Sequence, residues 1–282
     1  MLVAAGVLLL PATTPATVSV DTRFLLFTAA PGEVNDTTIH NFVTPQVITD
    51  LGAPLVAGPG CRQATPFGCD IWFNQTAFLG DRNDKARLVS FGSSTVYGEA
   101  GRDTLVNDGE VAWAYGGPGA DQIKVTGNHG VAHGGPGPDQ IEGGGNYASD
   151  LYGEEGKDVL TETRHGSDCS SLDGGSGSDR LLGYACARLT GGPGSDALTV
   201  HLSGEGSDRA GRFDGGPGRD YIVGGLGPDQ IDAGPGRDFI QAAADGVPDT
   251  IVCGTGRDTV RANPADTVAA DCENVTVIAH DL

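Results

Sequence analysis

Between residues 103 and 260, apolar side chains recur singly, each two positions beyond an aspartate: Leu105, Ile123, Ile141, Leu160, Leu181, Leu198, Ile222, Ile231, Ile240 and Val260. The residues on either side of each are mostly polar. In an extended chain neighbouring side chains point to opposite faces, so such a triplet is a very short strand that sends one residue into a core. The glycine density between these triplets excludes helix. The pattern therefore predicts a series of tight turns, each followed by a strand of a few residues.

The turns share a motif. GGxGxD occurs as Gly116, Gly117, Gly119 and Asp121; Gly134, Gly135, Gly137 and Asp139; Gly174, Gly175, Gly177 and Asp179; Gly191, Gly192, Gly194 and Asp196; Gly215, Gly216, Gly218 and Asp220; and Gly224, Gly225, Gly227 and Asp229. Looser copies keep the later glycine and the aspartate: Gly98, Gly101 and Asp103; Gly153, Gly156 and Asp158; Gly234, Gly236 and Asp238; Gly254, Gly256 and Asp258; and one ending at Asp208. The aspartates at 103, 121 and 139 are 18 residues apart, and those at 158, 179, 196, 220, 238 and 258 follow at roughly the same interval.

This arrangement resembles the nonapeptide repeat GGxGxDxUx of the haemolysin-type, or RTX, calcium-binding proteins, most closely over residues 98–260. The resemblance implies an all-β parallel β-roll, a solenoid of stacked coils of about 18 residues, with Ca2+ between successive turns on one edge. It makes the glycines and aspartates just named the metal-site residues. The chemistry is consistent with that role: calcium takes six to eight oxygen ligands in flexible geometry, and glycine brings backbone carbonyls close to an ion with no side chain in the way.

The intervening half-coils mostly lack the motif, so the opposite edge is expected to be metal-poor until Asp208, Asp229 and Asp249. Asp249 follows a turn without the glycine pattern and is expected to contribute little. Where the spacing drifts to 21 or 24, as from Asp158 to Asp179 and from Asp196 to Asp220, a bulge or loop is expected to interrupt the coil and its metal sites.

Composition sets the thickness of the core. Aromatic residues are 6% of the chain and there is one Met, so a core of Leu, Ile and Val is expected. The balance of 17 basic against 37 acidic residues, −20 in net charge, argues against nucleic acid or an anionic membrane as the main partner, since both require clustered Lys and Arg. Cations are the expected partners. A protein or glycan partner is left open.

Residues 1–20 begin with an apolar run and turn to small residues and Pro, in the manner of a signal peptide without its basic leading segment. They point to export; a buried first strand is the other reading. Residues 21–97 are expected to form an N-terminal β cap with degenerate coils. There Ile71-Trp72-Phe73 and Ala86-Arg87-Leu88-Val89 read as strands, and Leu79 to Asp84 as a decayed copy of the motif. Residues 261–282 form the C-terminal cap. No apolar run is long enough to span a bilayer.

Six cysteines stand in three close pairs, with no CxxC and no histidine placed to complete a zinc site. In a solenoid only sequence neighbours come close in space, which favours the disulfides Cys61–Cys69, Cys169–Cys186 and Cys253–Cys272. Disulfides again indicate a secreted, extracellular protein.

No catalysis is expected, since HExxH and GxSxG are both absent. Two other readings remain: a calcium-stabilised surface adhesin or structural rod, and a β-helix enzyme acting on polysaccharide. The second would draw on Tyr115, His133, Tyr152 and Arg164.

Overall fold

A computed structural model describes residues 16–21, 24–40, 46–50, 55–57, 61–62, 67–69, 74–163, 168–184, 186–201, 209–242 and 245–278. Among them there is no helix, and the chain forms a parallel β-solenoid with two 15-stranded sheets. One coil runs from Val111–Tyr115 on the first sheet, through the turn 116–121, to Gln122–Val125 on the second, and then through 126–128 back to the first sheet at His129. Each strand pairs in parallel with the strand one coil away.

The apolar column foreseen in the sequence becomes a single ridge. Leu105, Ile123, Ile141, Leu160, Leu181, Leu198, Ile222, Ile240 and Val260 are in register from strand to strand of the second sheet, each no more than 2% exposed. Ile231 is also buried but enters from the first sheet, between Phe213 and Ile251. The facing ridge of the first sheet holds the small Ala114 and Ala132 and then widens to Leu151, Leu172 and Leu189. A one-residue slip of any strand would turn this ridge outward, so burial fixes the register.

At the N-terminal end the pairing changes to antiparallel, Ala16–Asp21 with Phe24–Thr28 and Asp36–His40 with Gln46–Asp50. Such hairpins cover the end of a parallel stack whose first coil would otherwise leave its edges open. The strand expected over Ala86–Val89 is present as Lys85–Val89, and it already stacks in parallel on Thr104–Asn107. Residues 1–15, most of the proposed leader, and the expected strand 71–73 lie outside the described residues. No helix of the described residues is long and apolar enough to cross a membrane.

Disulfides join Cys169 to Cys186 and Cys253 to Cys272, each with Cα atoms 5.2 Å apart. The backbones of Cys61 and Cys69 are paired in antiparallel register, while their side chains lie outside the described residues. The rings of Phe78, Tyr97, Tyr115, His133 and Tyr152 form a ladder on the outside of the first sheet, with centroids 4.7 to 5.0 Å apart. Their faces are taken up by one another, and His133 Nδ1 lies 2.9 Å from the Glu154 carboxylate. This packing accounts for Tyr115, His133 and Tyr152; Arg164 lies outside the described residues.

Candidate metal sites on the turn edges

The aspartates of the repeat stand in one column along an edge of the solenoid. Asp103, Asp121, Asp139, Asp158, Asp179, Asp196, Asp220, Asp238 and Asp258 are each 3% exposed or less. The backbone N–H of each but the last donates to Oδ1 of the aspartate one coil further on, at 2.7 to 2.8 Å, from Asp103 to Asp121 through to Asp238 and Asp258. The carboxylate thus caps a neighbouring coil rather than its own turn.

The column is longer than the sequence motif. Asp84 donates its N–H to Asp103 at its start, and Glu273 accepts from Asp258 at its end. Glu273 was missed because its turn lacks the glycines, although an apolar residue, Val275, still follows two positions later.

At the long spacings the coil is lengthened, but the aspartate column is not interrupted. Asp158 donates to Asp179, and Asp196 to Asp220, both at 2.8 Å. The added residues fall between the end of a second-sheet strand and the next first-sheet strand, after Glu162 and before Ser171, and after Val200 and before Arg212. A loop on one edge lengthens a coil without altering the register of the other.

The other oxygen of each carboxylate is the informative one. Oδ2 of Asp103, Asp121, Asp139, Asp158, Asp179, Asp196, Asp220, Asp238 and Asp258 is buried and has no hydrogen-bond partner. Each of Gly98, Gly116, Gly134, Gly153, Gly174, Gly191 and Gly215 faces the Oδ2 of its own motif together with a backbone carbonyl of the following coil. At Gly98, the point where a Cβ would stand is 2.5 Å from Asp103 Oδ2 and 2.6 Å from the Gly116 carbonyl oxygen. A side chain there is excluded, and oxygens from two coils converge instead. This donor set of carboxylate and carbonyl oxygen, with no nitrogen or sulfur, fits a hard divalent cation such as calcium. Among the described residues no group of three or more His, Cys, Asp or Glu side chains is arranged as a metal cluster by itself, so carbonyls have to share in any site.

Burial pushes the carboxyls of Asp103, Asp121, Asp139, Asp158, Asp179, Asp196, Asp220 and Asp238 upward, against the capping N–H that favours the charged form. Asp103, Asp139 and Asp220 are raised to about 7, and Asp158, Asp196 and Asp238 to about 6, with the neighbouring aspartates of the column adding to the rise. A folded-state value above the unfolded one means that the native protein binds more protons between pH 4 and 7. Metal-free protein should therefore lose stability as pH rises from 4.5 to 7.5. Melting in chelator across that range checks it, and a flat or rising profile would show that the column is not the titrating element.

The opposite edge carries a second, shorter column. Gly211 N–H donates to Asp229 Oδ1, Asp229 to Asp249, and Asp249 to Asp266, at 2.7 to 3.0 Å. Asp249 is therefore no peripheral copy. It is 1% exposed, its Oδ2 has no partner, and burial raises its carboxyl to about 7. Its turn does without the glycine pattern because stacking on Asp229 and Asp266 holds it in place. Asp266 was missed, though Asp266-Thr267-Val268 repeats the acid-and-apolar spacing. In Asp229, by contrast, Oδ2 accepts the Gly225 N–H at 2.5 Å. Asp208 lies outside the described residues.

Residues 90–109 and 204–246 match the family model for the RTX calcium-binding nonapeptide repeat, in four copies. Comparisons with curated proteins and with solved structures return no match. The repeat-model match and the stacked parallel coils agree with each other: the chain is a parallel β-solenoid that carries RTX calcium-binding repeats.

Proposed function

We propose that this chain is a secreted calcium-binding repeat protein, without a catalytic centre of its own, in which Ca2+ between stacked turns orders the roll. The observation that carries this reading is the row of buried Oδ2 atoms with no donor. Nine carboxylates in single file raise one another's charging cost unless a cation lies among them. Asp103 through Asp258 on one edge, and Asp229 and Asp249 on the other, supply the side-chain ligands. The turn glycines from Gly98 to Gly256 supply the close-packed carbonyls. Residues 98–260 form the binding roll, between caps at 21–97 and 261–282.

Bound calcium would supply positive charge to the carboxylate oxygens that no protein hydrogen reaches, and those oxygens would be its ligands. The residues themselves hold the Oδ2 atoms in line, exclude water from them and join each coil to the next. Two disulfides in one chain support an oxidising, extracellular setting, and so does the apolar stretch at residues 1–20.

A calcium titration of the whole chain, followed by circular dichroism, calorimetry and melting, tests the proposal. With affinities on the order of 10⁻⁴ to 10⁻³ M, as in other extracellular modules, millimolar calcium should raise the melting temperature and release protons at pH 6.5. An unchanged β signal and melting temperature on chelation, in both oxidised and reduced protein, would remove metal from the fold.

A further inference from the structure

The fifth position of the turn motif has no fixed chemistry: it holds a half-buried Ala120 and the exposed Pro138, Ser178 and Ser195 in four of the coils. In three successive coils near the C-terminal end it holds Arg219, Arg237 and Arg257, all exposed. Their turns are locked together, because the preceding residues Gly194, Gly218, Gly236 and Gly256 form consecutive parallel bridges. The three arginines therefore stand in single file, one strand spacing of about 4.8 Å apart.

None of the three is in an ion pair or a side-chain hydrogen bond among the described residues. Like charges directly opposite in adjacent strands are destabilising. Serine at the same position shows that the turn does not require a cation. In sequence the three lie about 20 residues apart and form no basic cluster; stacking alone makes them a row on a chain of net charge −20.

We infer that Arg219, Arg237 and Arg257 form a binding row for a linear acidic polysaccharide lying along the solenoid axis. The guanidinium fork matches carboxylate or sulfate in a bidentate manner, and a one-dimensional row suits a flexible chain with one anionic group per repeat. A bilayer surface or a duplex calls for a broad basic face, for which three arginines in single file on a chain of net charge −20 are too narrow. Exposed prolines Pro217 and Pro235 beside the row leave the approach free of acidic side chains at that turn position.

The test uses the full chain at a fixed calcium concentration with a polyuronate and a sulfated dextran as probes. Neutral dextran, phosphatidylserine vesicles and duplex DNA are the comparison arms. The triple variant R219S/R237S/R257S places at each site the residue other coils already carry, and its melting temperature reports retained folding. Binding to both acidic polysaccharides is expected, weakening with salt. It should fall at least about tenfold in the triple variant and only partly when the same residues are changed to Lys. Equal binding by the triple variant, binding to neutral dextran, or binding to vesicles or DNA alone would overturn the assignment. Because the calcium response is measured separately, failure here leaves the metal-binding reading untouched.

Discussion

Replacing Asp139 with Asn should stabilise the metal-free protein at pH 7.5 and at the same time reduce its response to calcium. The amide oxygen still accepts the Asp121 N–H, now made by Oδ1 at 2.7 Å. The amide nitrogen takes the place of Oδ2, on the side of Gly134 where the Gly153 carbonyl also lies. The substitution removes a buried carboxyl that burial has raised to about 7, so the charging cost disappears. It also removes a calcium ligand. Asp139→Ala behaves differently, because it leaves the buried Asp121 N–H unpaired as well. That variant should lose about 2 kcal/mol in chelator. In saturating calcium the loss should reach roughly 4 kcal/mol, since two stacked sites share the residue.

The geometry extends the same expectation to Asp249, whose Oδ1 accepts the Asp229 N–H at 2.8 Å. Asp249→Ala should therefore be comparably damaging, contrary to the minor role its glycine-poor turn suggested. Isothermal titration and melting of the three variants decide the matter. If Asp139→Asn keeps the wild-type calcium response, the aspartates act as inter-coil caps alone and the metal ladder has to be abandoned.

The second large effect is expected at Gly194. A Cβ placed there overlaps the Gly177 carbonyl oxygen of the preceding coil, and Gly218 of the following coil meets Gly194 in the same way. The obstacle to a Cβ at position 194 is backbone, the Gly177 carbonyl. No rotamer change relieves it, and the coil must open for the side chain to fit. Gly194→Ala should cost roughly 4 to 5 kcal/mol, in the exceptional range for a single substitution. Gly246 is the natural control. It has φ of 79° but nothing within 4 Å of its Cβ position, so Gly246→Ala should cost only about 1 kcal/mol. Repeat arrays can open locally, so hydrogen exchange of the amides between 177 and 218 is a better readout than a single melting curve. Similar protection in the two variants would show that coil spacing does not depend on glycine at this position.

The periodicity of the sequence determined that the chain is a stack. One apolar residue two places after each aspartate, with glycines before it, leaves room only for turn and short strand, and the core ridge from Leu105 to Val260 follows from that spacing. The local cysteine pairs at 169–186 and 253–272 followed from the same one-dimensional order. What the sequence did not show is which atoms meet across coils, because those contacts join residues 17 to 24 positions apart and depend on how inserted residues are distributed.

Only the stacked structure decided that the long spacings at Asp179 and Asp220 leave the column intact, since their extra residues come between a second-sheet strand and the next first-sheet strand and not in the aspartate turn. It also decided that Oδ1 caps the neighbouring coil while Oδ2 remains buried without a partner. Asp266 and Glu273 joined the columns without a glycine motif, because an acid at the right height in a stack is held by its neighbours. Arg219, Arg237 and Arg257 became one row for the same reason: parallel register brings together residues at equal heights in successive coils, whatever their distance along the chain.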